Sequence, residues 1–158
     1  MKFSKNFWVA EFEQSSTATR LGIDNSIPSA KLLALDALCT SVLQPTRDHF
    51  ILETKKGKSV TITSGYRCTE LNNALGSRPS SQHIKGEAAD FVIYGVDNYE
   101  IACWIRDNLE FDQLILEMYE PALGKQGWVH VSYCEFSRNR GQCITVKPSG
   151  VTKRGLVV

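Results

Sequence analysis

The sequence predicts an α+β domain in which helices flank a small, mostly antiparallel sheet. Three observations lead to this prediction: leucines on a helical period near the start, a later series of short alternating or β-branched segments, and no internal repeat or Gly-, Ser- or Pro-rich linker. The chain has 158 residues, about the size of one ordinary domain. We therefore expect a single domain over residues 1–158.

The helical signals come mainly from the first third of the chain. Residues 1–27 mix polar residues with aromatics and are expected to form a leader packed on the core. Leucines and valines on a helical period predict an amphipathic helix after it, and Pro45 is expected to end that helix. The spacing of Asp97 and Glu100 predicts a capping box at a later helix. The predicted helices cover residues 28–43, 70–75 and 97–109.

The strand signals are short segments with β-branched or alternating residues. The first, SVTIT, ends at a Ser-Gly break, and the others are similar in length. Helices precede and interrupt these segments, and the strands are expected to be mostly antiparallel, which together indicate an α+β domain. The predicted strands cover residues 59–63, 89–94, 113–118, 127–134 and 142–146.

The composition excludes several classes of protein. The formal net charge is +1, which disfavours a nucleic-acid-binding protein. The first residues contain no uninterrupted apolar stretch, so we expect no secretory signal, no membrane span and synthesis in the cytoplasm. The five cysteines are odd in number and show no C-x-x-C spacing, so we expect buried free thiols rather than disulfides or a thiolate zinc site.

Two of the three histidines lie in segments that suggest a metal site. His83 and Asp90 are separated by a Lys-Gly pair, which predicts a turn that brings them together, and His130 lies on a predicted strand. The chain has no H-E-x-x-H motif, so an ordinary helical zinc peptidase site is excluded. Two imidazoles and one carboxylate leave the fourth position of a tetrahedral zinc ion open, as catalytic zinc requires.

A carboxylate and a guanidinium are expected near this metal site. Side chains alternate along a strand, so Glu117 shares a face with His130 if their two strands pair. Glu117 is then a candidate general base. Arg67 follows the first strand and is a candidate for stabilising the oxyanion or holding a substrate carboxylate.

These motifs resemble those of the zinc D-alanyl-D-alanine carboxypeptidase family. The resemblance is closest to its compact phage-type branch, which includes endolysins that cut peptidoglycan, and it covers nearly the whole chain. The metal motifs are the specific part. They read Ser81-x-His83-x-x-Gly86-x-Ala88-x-Asp90 and Trp128-x-His130, with Thr63-Ser64-Gly65-Tyr66-Arg67 and Phe111-Asp112-Gln113-Leu114-Ile115-x-Glu117 as supporting matches.

The resemblance implies a hedgehog/DD-peptidase-like fold and one zinc ion bound by His83, Asp90 and His130. It also implies that Arg67 and Ser81 line the substrate site. Several members carry an acidic residue three positions before the last histidine, where this chain has a glycine at 127. The base is therefore assigned to Glu117. Further candidate substrate contacts are Gln82, Tyr66 and Trp128.

The function expected from these residues is hydrolysis of a peptide bond in a peptidoglycan stem peptide or cross-link. Two alternatives stay open: a non-catalytic zinc-containing wall-binding or virion structural module, and a DD-carboxypeptidase that trims terminal D-alanine. We expect a monomer that reaches the wall after holin-dependent release or on a virion. The exposed cations of residues 55–58 and 138–140 are expected to be solvated, or to touch an anionic wall polymer.

Overall fold

A six-stranded sheet forms the centre of the computed structural model, which describes residues 1–158. The strand order is β1-β2-β4-β3-β5-β6, and every neighbouring pair is antiparallel except β3 and β5, which are parallel. This confirms the predicted α+β class. The strands are β1 (Val60–Ser64), β2 (Ala88–Ile93), β3 (Gln113–Glu117), β4 (Trp128–Ser132), β5 (Gln142–Val146) and β6 (Thr152–Arg154).

All five predicted strands are present, within two residues at each end. The sixth strand, β6, was not predicted, because its three exposed residues lack an apolar alternation. It forms by pairing with the free edge of β5, which is a tertiary contact that no local pattern encodes.

The first long helix continues past the residue that was expected to end it. Helix α3 runs without interruption through four segments, and Pro45 lies inside it. The prediction was wrong because a π-helical turn immediately before Pro45 makes the Gln44 N–H bond to Cys39, five residues back, and accommodates the ring. The continuation also buries Phe50, which offsets the cost of the proline. The segments are Ser29–Leu38, Cys39–Leu43, Gln44–Arg47 and Asp48–Glu53.

The shorter helices pack around this frame. Asp97 caps the last of them by accepting a hydrogen bond from the Tyr99 N–H (2.8 Å). The predicted capping box does not form, because Glu100 pairs with Lys56 instead. The helices are α1 (Val9–Glu13), α2 (Ser16–Leu21), α4 (Thr69–Ala74), α5 (Gln82–Lys85) and α6 (Asn98–Asn108), with a 3₁₀ turn at Pro121–Leu123.

The core lies between the helices and one face of the sheet. Helices α3 and α6 supply apolar side chains to it, and Phe3, Phe7 and Phe12 of the leader belong to the same buried cluster. From the sheet, Phe91 of β2 and Val129 of β4 point into this core. Because side chains alternate along a strand, the residues next to them point to the opposite face, where the metal-site residues lie.

The five cysteines differ in their exposure. All five cysteines are free thiols, but only Cys39 is buried and the other four are partly exposed, so the prediction of buried thiols holds for one residue.

None of the helices combines the length and apolar character needed to cross a bilayer.

Candidate metal centre and active site

The three predicted metal ligands come together from three different elements. His83 lies in α5, Asp90 in β2 and His130 in β4, and Asp90 and His130 are register partners across the antiparallel β2–β4 pair. All three side chains are buried, and one ligand atom from each lies within 4.8 Å of the others. They form a compact donor set of two imidazoles and one carboxylate.

The distances within this group fit one tetrahedral zinc ion. His130 Nδ1 is 2.7 Å from Asp90 Oδ1, and His83 Nε2 is 3.4 Å from the same oxygen. Two atoms bound to one tetrahedral zinc ion at about 2 Å stand about 3.3 Å apart. The group therefore needs only small adjustments to coordinate zinc.

Other protein groups fix the orientation of two of these ligands. His83 Nδ1 donates to the carbonyl oxygen of Gly65 (2.7 Å), which places the proton on Nδ1 and leaves the Nε2 lone pair free. Arg67 Nη2 donates to Asp90 Oδ2 (3.0 Å) and leaves Oδ1 facing the histidines. Contacts of this kind hold metal ligands in their binding geometry.

The charge on Asp90 makes this group well suited to a cation. Burial raises the pKa of Asp90, but the charge of His83 and the hydrogen bonds from His130 and His83 outweigh it, so the pKa lies well below its ordinary range. A buried carboxylate that is ionised needs a positive partner. Arg67 supplies one positive partner, at Oδ2, and a metal ion would supply a second, at Oδ1.

The predicted turn between His83 and Asp90 is built by two flanking residues. The Ser81 hydroxyl accepts a hydrogen bond from the His83 N–H (3.3 Å) and caps the short helix α5. Gly86 has φ 76°, and a Cβ there would lie 3.1 Å from the Lys31 carbonyl oxygen. A glycine is therefore required where the chain turns back into β2.

Glu117 lies on the same sheet face as His130, as the strand pattern suggested. In the β3–β4 pair, Ile115 is opposite His130 and Glu117 is opposite Trp128. Burial raises the pKa of Glu117, the charge of Asp90 raises it further, and His130 and Arg67 act in the opposite direction. A carboxylate thus lies beside the candidate metal ligands, in an environment that increases its basicity.

Gly127 occupies a position that no side chain could fill. Its φ is 58°, and a Cβ there would lie 1.7 Å from the carbonyl oxygen of Glu117. The backbone of Glu117 and Met118 crosses the space that an acidic residue at position 127 would need. The fold therefore has no room for a carboxylate at position 127, because the chain segment that contains Glu117 passes through that space.

Arg67 is engaged entirely with the protein. Besides its bond to Asp90, its Nε donates to Ser64 Oγ (3.0 Å) and its Nη1 to Ser77 Oγ (3.3 Å). Its side chain is 14% exposed. The predicted contact of Arg67 with substrate stays a prediction, and the observed contacts suit a residue that positions Asp90.

The four predicted substrate-contact residues lie in different surroundings. Ser81 and Gln82 line a cleft that also includes His130. Trp128 lies beside Glu117, and its buried indole N–H has no hydrogen-bond partner. Tyr66 is only 6% exposed and packs in the apolar core cluster. The structure thus brings three of the four to the metal-site face and Tyr66 to the core.

Two supporting residues were not assigned a role from the sequence. The first is Gly65, whose carbonyl orients His83; a backbone atom gives no residue-type signal. The second is Asp112, a buried carboxylate that accepts hydrogen bonds from Gln82 Nε2 (2.9 Å) and Arg140 Nε (2.8 Å). A charged residue at the start of a buried strand was the available signal for Asp112.

The chain matches the family model described as Peptidase M15 over residues 5–132. No curated protein matches the chain. The matched residues contain all three candidate ligands and end with β4, before the loop that leads to β5. The M15 peptidases are zinc-dependent, which agrees with the donor set described above. The chain therefore belongs to the peptidase M15 family, the zinc D-alanyl-D-alanine carboxypeptidase-like peptidases.

Proposed function

We propose that this protein hydrolyses a peptide bond in bacterial peptidoglycan, using one zinc ion held by His83, Asp90 and His130. The observation that carries the proposal is the position of Glu117, a partly exposed carboxylate on the same sheet face as the converged ligands. A purely structural metal site is closed by four protein ligands, whereas this group offers three.

The ligand residues have distinct tasks in this proposal. Zinc, when bound, supplies Lewis-acid polarisation of a carbonyl group and activation of water. Two neutral imidazoles and one carboxylate balance only part of the charge of a divalent cation. Gly65 holds His83 and Arg67 holds Asp90, so the donor atoms are oriented before a cation binds.

Glu117 is the proposed general base and acid. Its carboxylate takes a proton from the attacking water and delivers it to the nitrogen of the leaving amine. The raised pKa supports this role, because a base whose pKa approaches the working pH both accepts and returns a proton readily.

Trp128 is proposed to contact the substrate because it lies opposite Glu117 in the β3–β4 pair, on the face that holds the candidate ligands. Ser81 and Gln82, which line the cleft, are the other proposed substrate contacts.

The finer biological role is proposed from the leader and the motif resemblance. We infer an endolysin-like peptidase, acting as a monomer and as a single domain over residues 1–158. Phe3, Phe7 and Phe12 of the leader pack in the same core as the sheet, which supports one folding unit.

The test combines zinc analysis with product identification. Purified protein, its Glu117→Gln variant and a chelated sample are incubated with defined muropeptides and cross-linked wall, and the products are identified by mass spectrometry. We expect new amino groups only from the zinc-loaded wild type. Release of terminal D-alanine alone would assign a carboxypeptidase. Bound zinc and wall affinity without any new amino groups would favour a binding module, and undiminished hydrolysis by Glu117→Gln would refute the mechanism.

A further inference from the structure

A cleft of about 790 Å³ begins at the metal centre and extends away from it. His130 and Ile115 lie at one end, and the walls are formed by two segments, residues 76–87 and 134–140. Clefts of this size bind ligands of several residues or a drug-sized molecule. The cleft therefore has room for substrate on one side of a scissile bond at the metal.

The side chains of these walls include more cations than carboxylates. Two of the cations have partners: Lys85 lies 4.0 Å from Glu87, and Arg140 lies 2.6 Å from the buried carboxylate of Asp112. The hydrogen bonds from Arg140 lower the pKa of Asp112 despite its burial, so this pair is ionised. These two pairs contribute little net charge to the cleft.

The other two cations, Arg78 and Arg138, have no partner. Neither forms an ion pair, and neither guanidinium donates a hydrogen bond to the protein. Both side chains are exposed, and one projects from each wall segment. The protein as a whole is nearly neutral, with a formal net charge of +1, so two unpaired guanidinium groups in one cleft are a local feature. Arg138 also lies beyond the residues that match the M15 family.

We infer that this cleft recognises an acidic peptide, and that Arg78 and Arg138 bind carboxylates of the substrate that lie away from the scissile bond. The inference rests on the proposed function and adds that the substrate peptide is negatively charged. A guanidinium presents two parallel N–H groups that match the two oxygens of a carboxylate. Stem peptides offer such groups on their glutamyl and diamino-acid residues, and amidation of these residues removes the charge without changing the shape.

The test compares matched peptides that differ only in this charge. Zinc-loaded wild type, Arg78→Gln, Arg138→Gln and the double variant are assayed on one stem peptide with free carboxylates and on its carboxamide form. Arg20→Gln is the matched control, because Arg20 is an exposed arginine in α2, away from the cleft. For each single variant we expect KM on the acidic peptide to rise about fivefold, with kcat unchanged, as for an exposed ion pair of about 1 kcal/mol. The carboxamide peptide should show no dependence on either arginine.

A binding measurement separates this inference from the proposed function. The Kd of each peptide is measured by calorimetry on the zinc-loaded Glu117→Gln variant, with and without the arginine substitutions, so that turnover is not needed. If no peptide is hydrolysed but the acidic one still binds through the arginines, the proposed function fails and the inference stands. Equal KM and Kd for the acidic and amidated peptides would overturn the inference while leaving hydrolysis in place. It would also be overturned if the substitutions abolish binding of a glycerol-phosphate polymer and leave peptide binding unchanged.

Discussion

His130 Nδ1 lies 2.7 Å from Asp90 Oδ1 because the two residues are direct register partners in the antiparallel β2–β4 pair. Partners of this kind project from the same face of the sheet with their Cβ atoms about 5 Å apart. A slip of one residue would turn Asp90 into the core and leave His130 alone. The alternation of Phe91 and Ile93 into the core makes such a slip unfavourable, so hydrophobic burial fixes the geometry of the candidate metal centre.

Removing one ligand should abolish stoichiometric zinc binding. We expect His83→Ala to reduce bound zinc at least tenfold, because two remaining ligands hold zinc weakly and removing even a supporting residue costs about 10- to 100-fold in affinity. His49→Ala is the matched control, since His49 stacks on Trp104 (4.4 Å between ring centroids) in the helical layer. Elemental analysis of dialysed protein measures both, and equal zinc content in the two variants would exclude His83 as a ligand.

Substituting Glu117 should separate catalysis from metal binding. We expect Glu117→Gln to keep its zinc and to lower kcat by about 10²- to 10⁴-fold, the usual contribution of a general base. Glu70→Gln is the control, because Glu70 is an exposed carboxylate in the first turn of α4. Steady-state kinetics on a muropeptide test this, and a kcat within threefold of wild type would assign the base elsewhere.

The pH dependence of hydrolysis should report the environment of Glu117. Burial and the charge of Asp90 raise the pKa of Glu117, so its carboxylate protonates at a higher pH than an ordinary glutamate. Because the base acts only when deprotonated, kcat/KM should fall as pH decreases through the pKa of Glu117. Zinc content is measured at each pH to separate protonation of the histidines. An acid limb that stays unchanged in Glu117→Gln, with zinc still bound, would contradict this assignment.

Position 127 should tolerate no side chain. We expect Gly127→Ala to lower the free energy of unfolding by more than about 3 kcal/mol, because its Cβ would overlap the Glu117 carbonyl oxygen in addition to the backbone strain. Gly124→Ala is a close control: its φ of 67° is similar, but no atom lies within 4 Å of the added Cβ. That variant should lose only about 1 kcal/mol. Equal losses in urea denaturation would show that the contact with Glu117 is not decisive.

The buried carboxylate of Asp112 should stabilise the fold at neutral pH and lose this effect at acidic pH. We expect Asp112→Asn to lower the free energy of unfolding at pH 7 by about 1–3 kcal/mol, because the donors of Gln82 and Arg140 lose a charged acceptor. The lowered pKa of Asp112, caused chiefly by Arg140, means that this stability is present above the unfolded pKa of about 4 and is lost as pH falls through the lower folded value.

The control for this prediction is Asp107→Asn. Asp107 also pairs with an arginine, Arg106, but both side chains are largely exposed, so little change in stability is expected. Urea denaturation between pH 7 and pH 2.5 measures both variants. A difference between wild type and Asp112→Asn that stays constant down to pH 2.5 would show that the ionised form is not the source of stability.

Local patterns in the chain were sufficient for most of the fold. Short segments of β-branched or alternating residues predicted the strands that contain Asp90, Glu117 and His130, because strand propensity and period-two patterning are local properties. The same patterns failed at Pro45, where burial of Phe50 in the core outweighs the local preference to end a helix. They also failed at β6, which depends on pairing with β5.

The sequence by itself determined the members of the candidate donor set, the faces on which they lie and the turn between His83 and Asp90, because residue type and periodicity are local properties of the chain. Only the tertiary structure decided which groups support that set. The Gly65 carbonyl, the bond from Arg67 to Asp90 and the clash that excludes a side chain at 127 all join residues distant in sequence. Such contacts depend on strand register and chain crossing, which arise only when the whole core packs.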